Sequence, residues 1–326
     1  MSNVIEKKRI EYIDLLKGFA ILWIVWWHTC HPSFVDPYYH VPLFFVISGL
    51  FFKPYTFKIF LKKKVESLLV PFIFFYLTSY IYRMGVHIWD NRTIAGFPWL
   101  NILDVFKCMP NGDYLWVNVP IWFLLCLFNV SLIYYVLYKL PRWVRYIYII
   151  LVILFTNTIT QISTPFFLND AMRWCAYYSI GNVLGTYYLA FLNKKKNANI
   201  SLLLASIIYS VLIIIPIPHI HEIISSLFLN LKTITFIAGI ISLFSLLHTK
   251  SNNYLTILSF YGKNSLSVLG FHVPILIIFQ RIVTKIWGGV NYWGGFLCFS
   301  ATAIILYFLI PIMKRLFPNI LTKRTR

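Results

Sequence analysis

Polar positions are sparse along this chain, and the apolar stretches between them are long enough to cross a bilayer. Uncharged runs cover 114–138, 146–169, 174–193, 197–221 and 286–313. A hydrocarbon core takes about 20 consecutive apolar residues of α-helix, so each run reads as a spanning segment. With the shorter apolar stretches added, the pattern predicts ten helices, near 11–31, 38–53, 68–88, 116–138, 144–161, 172–191, 200–217, 227–247, 254–280 and 291–313. The expected fold is an all-α integral membrane protein, a bundle of about ten transmembrane helices forming one domain over 1–326.

The first helix departs from the apolar pattern. Arg9-Ile-Glu-Tyr-Ile-Asp-Leu-Leu-Lys-Gly-Phe-Ala-Ile-Leu-Trp-Ile-Val-Trp-Trp-His28 carries an acid, a base and a histidine. At 100° per residue Lys17 and His28 point within about 20° of each other, and Asp14 lies about 40° from His28. Each ionisable group at membrane depth costs on the order of a few kcal/mol, so three on one stripe predict a polar cavity inside the bundle. By helical rise His28 lies roughly 16 Å beyond Lys17 and roughly 21 Å beyond Asp14. Asp14 is therefore too far to orient the imidazole and is expected to pair with Lys17, a turn away.

Composition agrees with a membrane protein, at 59% hydrophobic, 12% charged and a mean hydropathy of +0.73. The net charge of +19 would suggest nucleic acid in a soluble chain, but its distribution explains it here. With the N-terminus inside, twenty Lys and Arg fall on cytoplasmic segments and six (Arg83, Arg92, Lys107, Arg173, Arg281, Lys285) on external ones. The positive-inside rule then predicts an N-in, C-in topology, and no nucleic-acid partner is expected. The Lys7-Lys8-Arg9 start resembles a signal peptide, yet Asp14 and Lys17 interrupt the apolar run and no small-x-small cleavage site follows, so the segment reads as an uncleaved anchor.

Cys30, Cys108, Cys126, Cys175 and Cys298 show no metal-ligand spacing, and no phosphate loop, zinc helix or nucleophile elbow is present, so no metal is expected. Cys30 and Cys108 could meet on the outer face. Residues 83–115 form the longest predicted loop, external, with Arg83, Asp90, Arg92, Asp104 and Asp113 among Trp89, Phe97, Trp99 and Tyr114. Aromatic faces beside carboxylates suit a sugar, although Trp and Tyr are also ordinary residues of a membrane interface.

Several motifs in order resemble a known family: Asp14 and Lys17-Gly18 with His28 after ten intervening residues, His40-Val-Pro-Leu-Phe-Phe-Val-Ile-Ser-Gly49, Leu68-Leu-Val-Pro71, Ile121-Trp-Phe-Leu124, Gly181-Asn-Val-Leu-Gly185, and Tyr261-Gly-Lys-Asn-Ser-Leu-Ser-Val-Leu-Gly-Phe-His272. The chain is similar to the acyltransferase-3 family of integral membrane proteins, whose members acylate sugars of cell-surface glycans from a cytoplasmic acyl-CoA. The resemblance implies a ten-helix bundle and an essential histidine near the end of the first helix, preceded by a basic residue, here His28 and Lys17. It also places His40 facing the same cavity. Members often carry two arginines three apart before the Leu-Leu-x-Pro motif, where this chain has Lys64 and Ser67. A donor-phosphate role then falls to Lys62, Lys63 and Lys64 as point charges. Some members append an extracytoplasmic esterase-like domain. This chain ends soon after its last helix, so transfer is expected within the membrane domain or by handing the acyl group to a separate protein.

The chemistry follows from position. An acyl thioester, acetyl-CoA the simplest, would come from the cytoplasm with its phosphates on the lysine-rich 53–64 loop, and a sugar hydroxyl of a glycan or lipid-linked acceptor from outside. His28 would act as general base or as transient acyl acceptor. His272 follows Ser265 by seven residues and gives its helix a polar stripe with Asn264, as an acceptor contact or as interhelical glue. Arg173 would clamp an acidic sugar or snorkel. Ser48-Gly49 reads as a close-packing site. The expected location is a bacterial-type cytoplasmic membrane, with lipid as surroundings. A glycan exporter or flippase is the alternative, weakened by the lack of an inverted repeat or paired broken helices.

Overall fold

The computed structural model describes residues 11–30, 40–106, 115–162, 164–214, 221–247 and 253–322. Among the described residues every regular element is helical. The elements are α1 (Glu11–Cys30), α2 (His40–Leu50), α3 (Phe57–Lys64), α4 (Val70–Asn91), α5 (Trp122–Lys139), α6 (Arg142–Gln161), α7 (Leu168–Val183), α8 (Gly185–Leu192), α9 (Lys195–Ile214), α10 (Glu222–Leu247), α11 (Asn253–Lys263), α12 (Ser265–Trp287), α13 (Tyr292–Leu316) and α14 (Pro318–Leu321).

Seven helical stretches among the described residues are long and apolar enough to cross a membrane: Phe57–Asn91, Val119–Lys139, Arg142–Gln161, Lys195–Ile214, Glu222–Leu247, Ser265–Trp287 and Tyr292–Leu316. α1 is not among them, since Asp14, Lys17 and His28 dilute its apolar run. α6, α9 and α13 turn apolar side chains such as Ile150, Leu203, Ile207, Ile304 and Phe308 outward. A soluble protein would hide such faces, whereas lipid solvates them. The chain is a multi-pass membrane protein.

Two pairs of helices touch backbone to backbone. A methyl group on Gly18 of α1 would sit 1.9 Å from the carbonyl oxygen of Leu258 in α11, and one on Gly262 would sit 1.7 Å from that of Asp14. The same happens between α2 and α7, where Gly49 meets Tyr178 at 1.9 Å and Gly181 meets Val46 at 2.0 Å. In both pairs the numbering runs in opposite senses, so the helices are antiparallel where they cross. Only glycine permits this approach, which is the packing reading of Ser48-Gly49.

Four predicted elements differ from the structure. The lysine-rich 53–64 segment is not a loop for most of its length: Lys62, Lys63 and Lys64 close α3, which runs through a π-helical turn at Val65–Leu69 into α4, 35 residues in all. The wide turn has a cause in Pro71, whose ring crowds the carbonyl four residues back, that of Ser67. The stretch 172–191 is two helices, parted at Leu184 (φ −105°). The stretch 254–280 is likewise two, parted at Asn264 (φ −113°, ψ 17°). The 83–115 loop is helical as far as Asn91, where Arg92 at φ 56° ends α4.

Candidate active site

His28 lies in the last turn of α1, with its ring centroid 5.4 Å from that of His272 in α12, the planes tilted by 45°. The final carbonyls of a helix lack intrahelical partners. Here Gln280 of α12 supplies them, its side-chain Nε2 donating to the carbonyls of His28 and Thr29 at 3.2 Å each. The end of α1 that carries the imidazole is thus tied to α12 by side chain as well as by ring contact.

His272 is fully buried. Its Nδ1 lies 2.9 Å from the carbonyl oxygen of Val268 and 3.0 Å from that of Leu269. Carbonyls only accept, so the proton is assigned to Nδ1 and the neutral ring carries its lone pair on Nε2. That buried Nε2 has no hydrogen-bond partner among the described residues.

The segment below His272 is held by a second device. Pro274 has no N–H, which leaves the carbonyl of Gly270 without its helical donor. Asn118 fills the gap: its Nδ2 donates to Gly270 O at 2.8 Å and to Ser79 Oγ at 2.9 Å. Gly270 itself must be glycine, because a Cβ there would lie 2.1 Å from the ring of Phe75.

The other candidate residues are dispersed. Lys17 holds its Nζ 5.4 Å above the ring of Phe51, and Asp14 is buried where α1 meets Gly262. His40, 1% exposed, stacks on Trp23 at 4.8 Å and meets Phe236 of α10 edge-on at 6.1 Å. Arg173 is buried one turn into α7, its guanidinium 4.2 Å above Trp174, whose indole stacks on Phe45. It does not snorkel. Lys63 sits 4.7 Å above Tyr55 and Lys64 5.6 Å above Phe60, in a region packed against α5.

The aromatic segment after α4 is partly spent on packing. Phe97 is buried against Tyr80 and Trp99, and Tyr80 donates to the carbonyl of Trp99 at 2.8 Å. Arg83 donates to the carbonyl of Trp116, and Asp90 pairs with Arg281 at 2.7 Å. Trp89 and Trp99 remain exposed. The side chains of Asp104, Asp113 and Tyr114 lie outside the described residues, as do Lys7 to Arg9 and the proposed Cys30–Cys108 meeting. Cys126, Cys175 and Cys298 are buried. Among the described residues no group of three or more His, Cys, Asp or Glu is placed to hold a metal ion.

A family model described as an acyltransferase domain matches residues 10–311 of the 326. The chain belongs to the acyltransferase-3 family. Comparison with the curated proteins and with the solved structures found no match. As an acyltransferase of the membrane, the protein needs a group that attacks an acyl carbon or strips a hydroxyl of its proton. An imidazole with a free lone pair does either.

Gln280, Asn118 and Ser79 were not foreseen from the sequence. The Gly270–Pro274 spacing is the one signal that pointed to Asn118, since a proline four residues on always frees a carbonyl. Gln280 is a single amide in an apolar helix and carries no comparable mark.

Proposed function

We propose that this acyltransferase moves an acyl group from cytoplasmic acyl-CoA, acetyl-CoA the simplest, to a hydroxyl of a cell-surface or lipid-linked glycan sugar. It works as one domain in a bacterial cytoplasmic membrane, ten helices with both termini inside. The observation that carries the reading is the pairing of the half-buried His28 with the buried imidazole of His272, whose second nitrogen is open. A helix bundle does not bury an unpaired polar atom without cost, about 1–3 kcal/mol, and active sites are where such costs are tolerated. The family match favours this over a glycan exporter.

His28 acts on the acyl group or on the hydroxyl. Lys17, paired with Asp14, supplies positive charge on the cytoplasmic half of α1. Lys62, Lys63 and Lys64 hold donor phosphates as point charges. His40, Arg173 and His272 are the acceptor-side groups, with Arg173 on its indole platform suited to an acidic sugar. The test uses membrane vesicles carrying the protein, given acetyl-CoA. Release of free thiol together with new ester groups on envelope glycan is expected. A folded, inserted protein that releases no thiol from acyl-CoA would overturn the reading.

A further inference from the structure

The two histidines differ in a way that divides the work between them. The Nδ1 of His272 is committed to the carbonyls of Val268 and Leu269, so its ring cannot switch tautomer without losing both bonds. Its Nε2 stands on the opposite edge of the ring, directed off its own helix, wholly buried and without a partner among the described residues. The neighbouring ring is that of His28, at 5.4 Å. A fixed lone pair beside the acyl-handling histidine, in a place sealed from water, is the environment a general base needs.

Resting on the acyl-transfer reading above, we propose that His272 is the catalytic base for the acceptor hydroxyl and that His28 is the acyl carrier. In the first half-reaction a ring nitrogen of His28 bonds to the acyl carbon, the carbon–sulfur bond breaks, and the electron pair leaves on the thiolate of CoA. The product is an acyl-imidazolium on His28. In the second, the acceptor oxygen bonds to the acyl carbon while its proton passes to Nε2 of His272. The carbon–nitrogen bond breaks, and its pair returns to the His28 ring. The thiolate then takes up a proton and His272 loses one, so the sum is thioester plus alcohol giving ester plus thiol.

The division makes the two histidines separable. His272→Asn keeps a side-chain N–H for the Val268 and Leu269 carbonyls and removes the base; His272→Gln is the second variant, should the first not insert. Either variant, given acetyl-CoA in vesicles, should still show a single-turnover burst of free thiol, while label transfer to envelope glycan falls about 10²–10³-fold. Hydroxylamine attacks acyl-imidazoles without help from a base. It should therefore restore steady thiol release above the protein-free rate, with the acyl group leaving as acetyl hydroxamate, in the His272 variants and not in His28→Ala. Glycan acylation at the wild-type rate in His272→Asn would overturn the assignment, as would loss of the thiol burst from both variants at wild-type amount and thermal stability. If instead wild-type protein releases no thiol, or His28→Ala keeps the burst, the acyl-CoA reading or the role of His28 fails before the question of a base arises.

Discussion

The bundle buries two polar clusters made of similar groups. Between α6, α7 and α10, Tyr177 donates to Oδ1 of Asn230 at 2.5 Å, and Nδ2 of Asn230 donates to Thr156 Oγ1 and Ser226 O at 2.8 Å and to Ile153 O at 3.1 Å. Thr156 passes its own proton to Val152 O at 2.7 Å, and Ser226 Oγ accepts from the backbone of Asn157 at 3.0 Å. Between α1 and α12, by contrast, His272 satisfies one nitrogen and leaves the other open. A saturated cluster holds helices together and has no capacity left for a ligand; an open one keeps a place for it. The same residue classes thus serve as glue in one place and, on the proposed function, as chemistry in the other. What separates them is whether the last lone pair is filled.

Four variants test that distinction. His28→Ala should remove acyl transfer, by about 10³-fold or more, with unchanged protein in the membrane fraction, because the imidazole is not a strut of the fold. Quantifying ester on purified glycan beside an immunoblot measures both. Wild-type acylation in that variant would collapse the contrast. Asn230→Leu should do the reverse. It removes the acceptor of the Tyr177 hydroxyl and a donor to Thr156 Oγ1, costing about 1–3 kcal/mol and lowering the melting temperature in detergent, while transfer per folded molecule stays at the wild-type value. A fall in specific activity without a change in melting would show that the saturated cluster is more than glue.

Between these extremes, Gln280→Leu should release the end carbonyls of α1 and reduce kcat by about 10-fold through misplacement of His28, with KM for donor unchanged. The smallest effect is expected at the α3 lysines. Neutralising Lys62, Lys63 and Lys64 to Gln should raise the apparent KM for acyl-CoA by about 3- to 10-fold, more at low ionic strength, since exposed charges are screened by salt. A donor KM that does not move, in correctly inserted protein, would leave these lysines as topology signals only.

Much of this was legible from residue order. The apolar runs marked the long spans, and the eleven-residue step from Lys17 to His28 put both on one face of α1, because periodicity along one helix is a local property. What depended on helices meeting was not. His28 and His272 are 244 positions apart, and nothing in either segment names the other as neighbour. Gly18 and Gly262 each announce a close crossing, yet not with which partner. The break at Leu184 falls inside an apolar stretch, where hydrophobicity does not record a bend, whereas the break at Asn264 has a local signal in Gly262-Lys263-Asn264-Ser265 that the apolar runs on either side outweigh. The stacking of His40 on Trp23 is likewise a meeting of two helices that neither segment announces.

The clasp on α1 has a mechanical consequence. Near one end its backbone lies against that of α11 with no side chain between them, and near the other two of its carbonyls are gripped by a single amide. A rod fastened at both ends neither pivots nor slides, so α1 cannot swing its histidine from one leaflet to the other. On the function proposed above, the cargo travels and the helix stays, and both substrates are brought to a stationary ring.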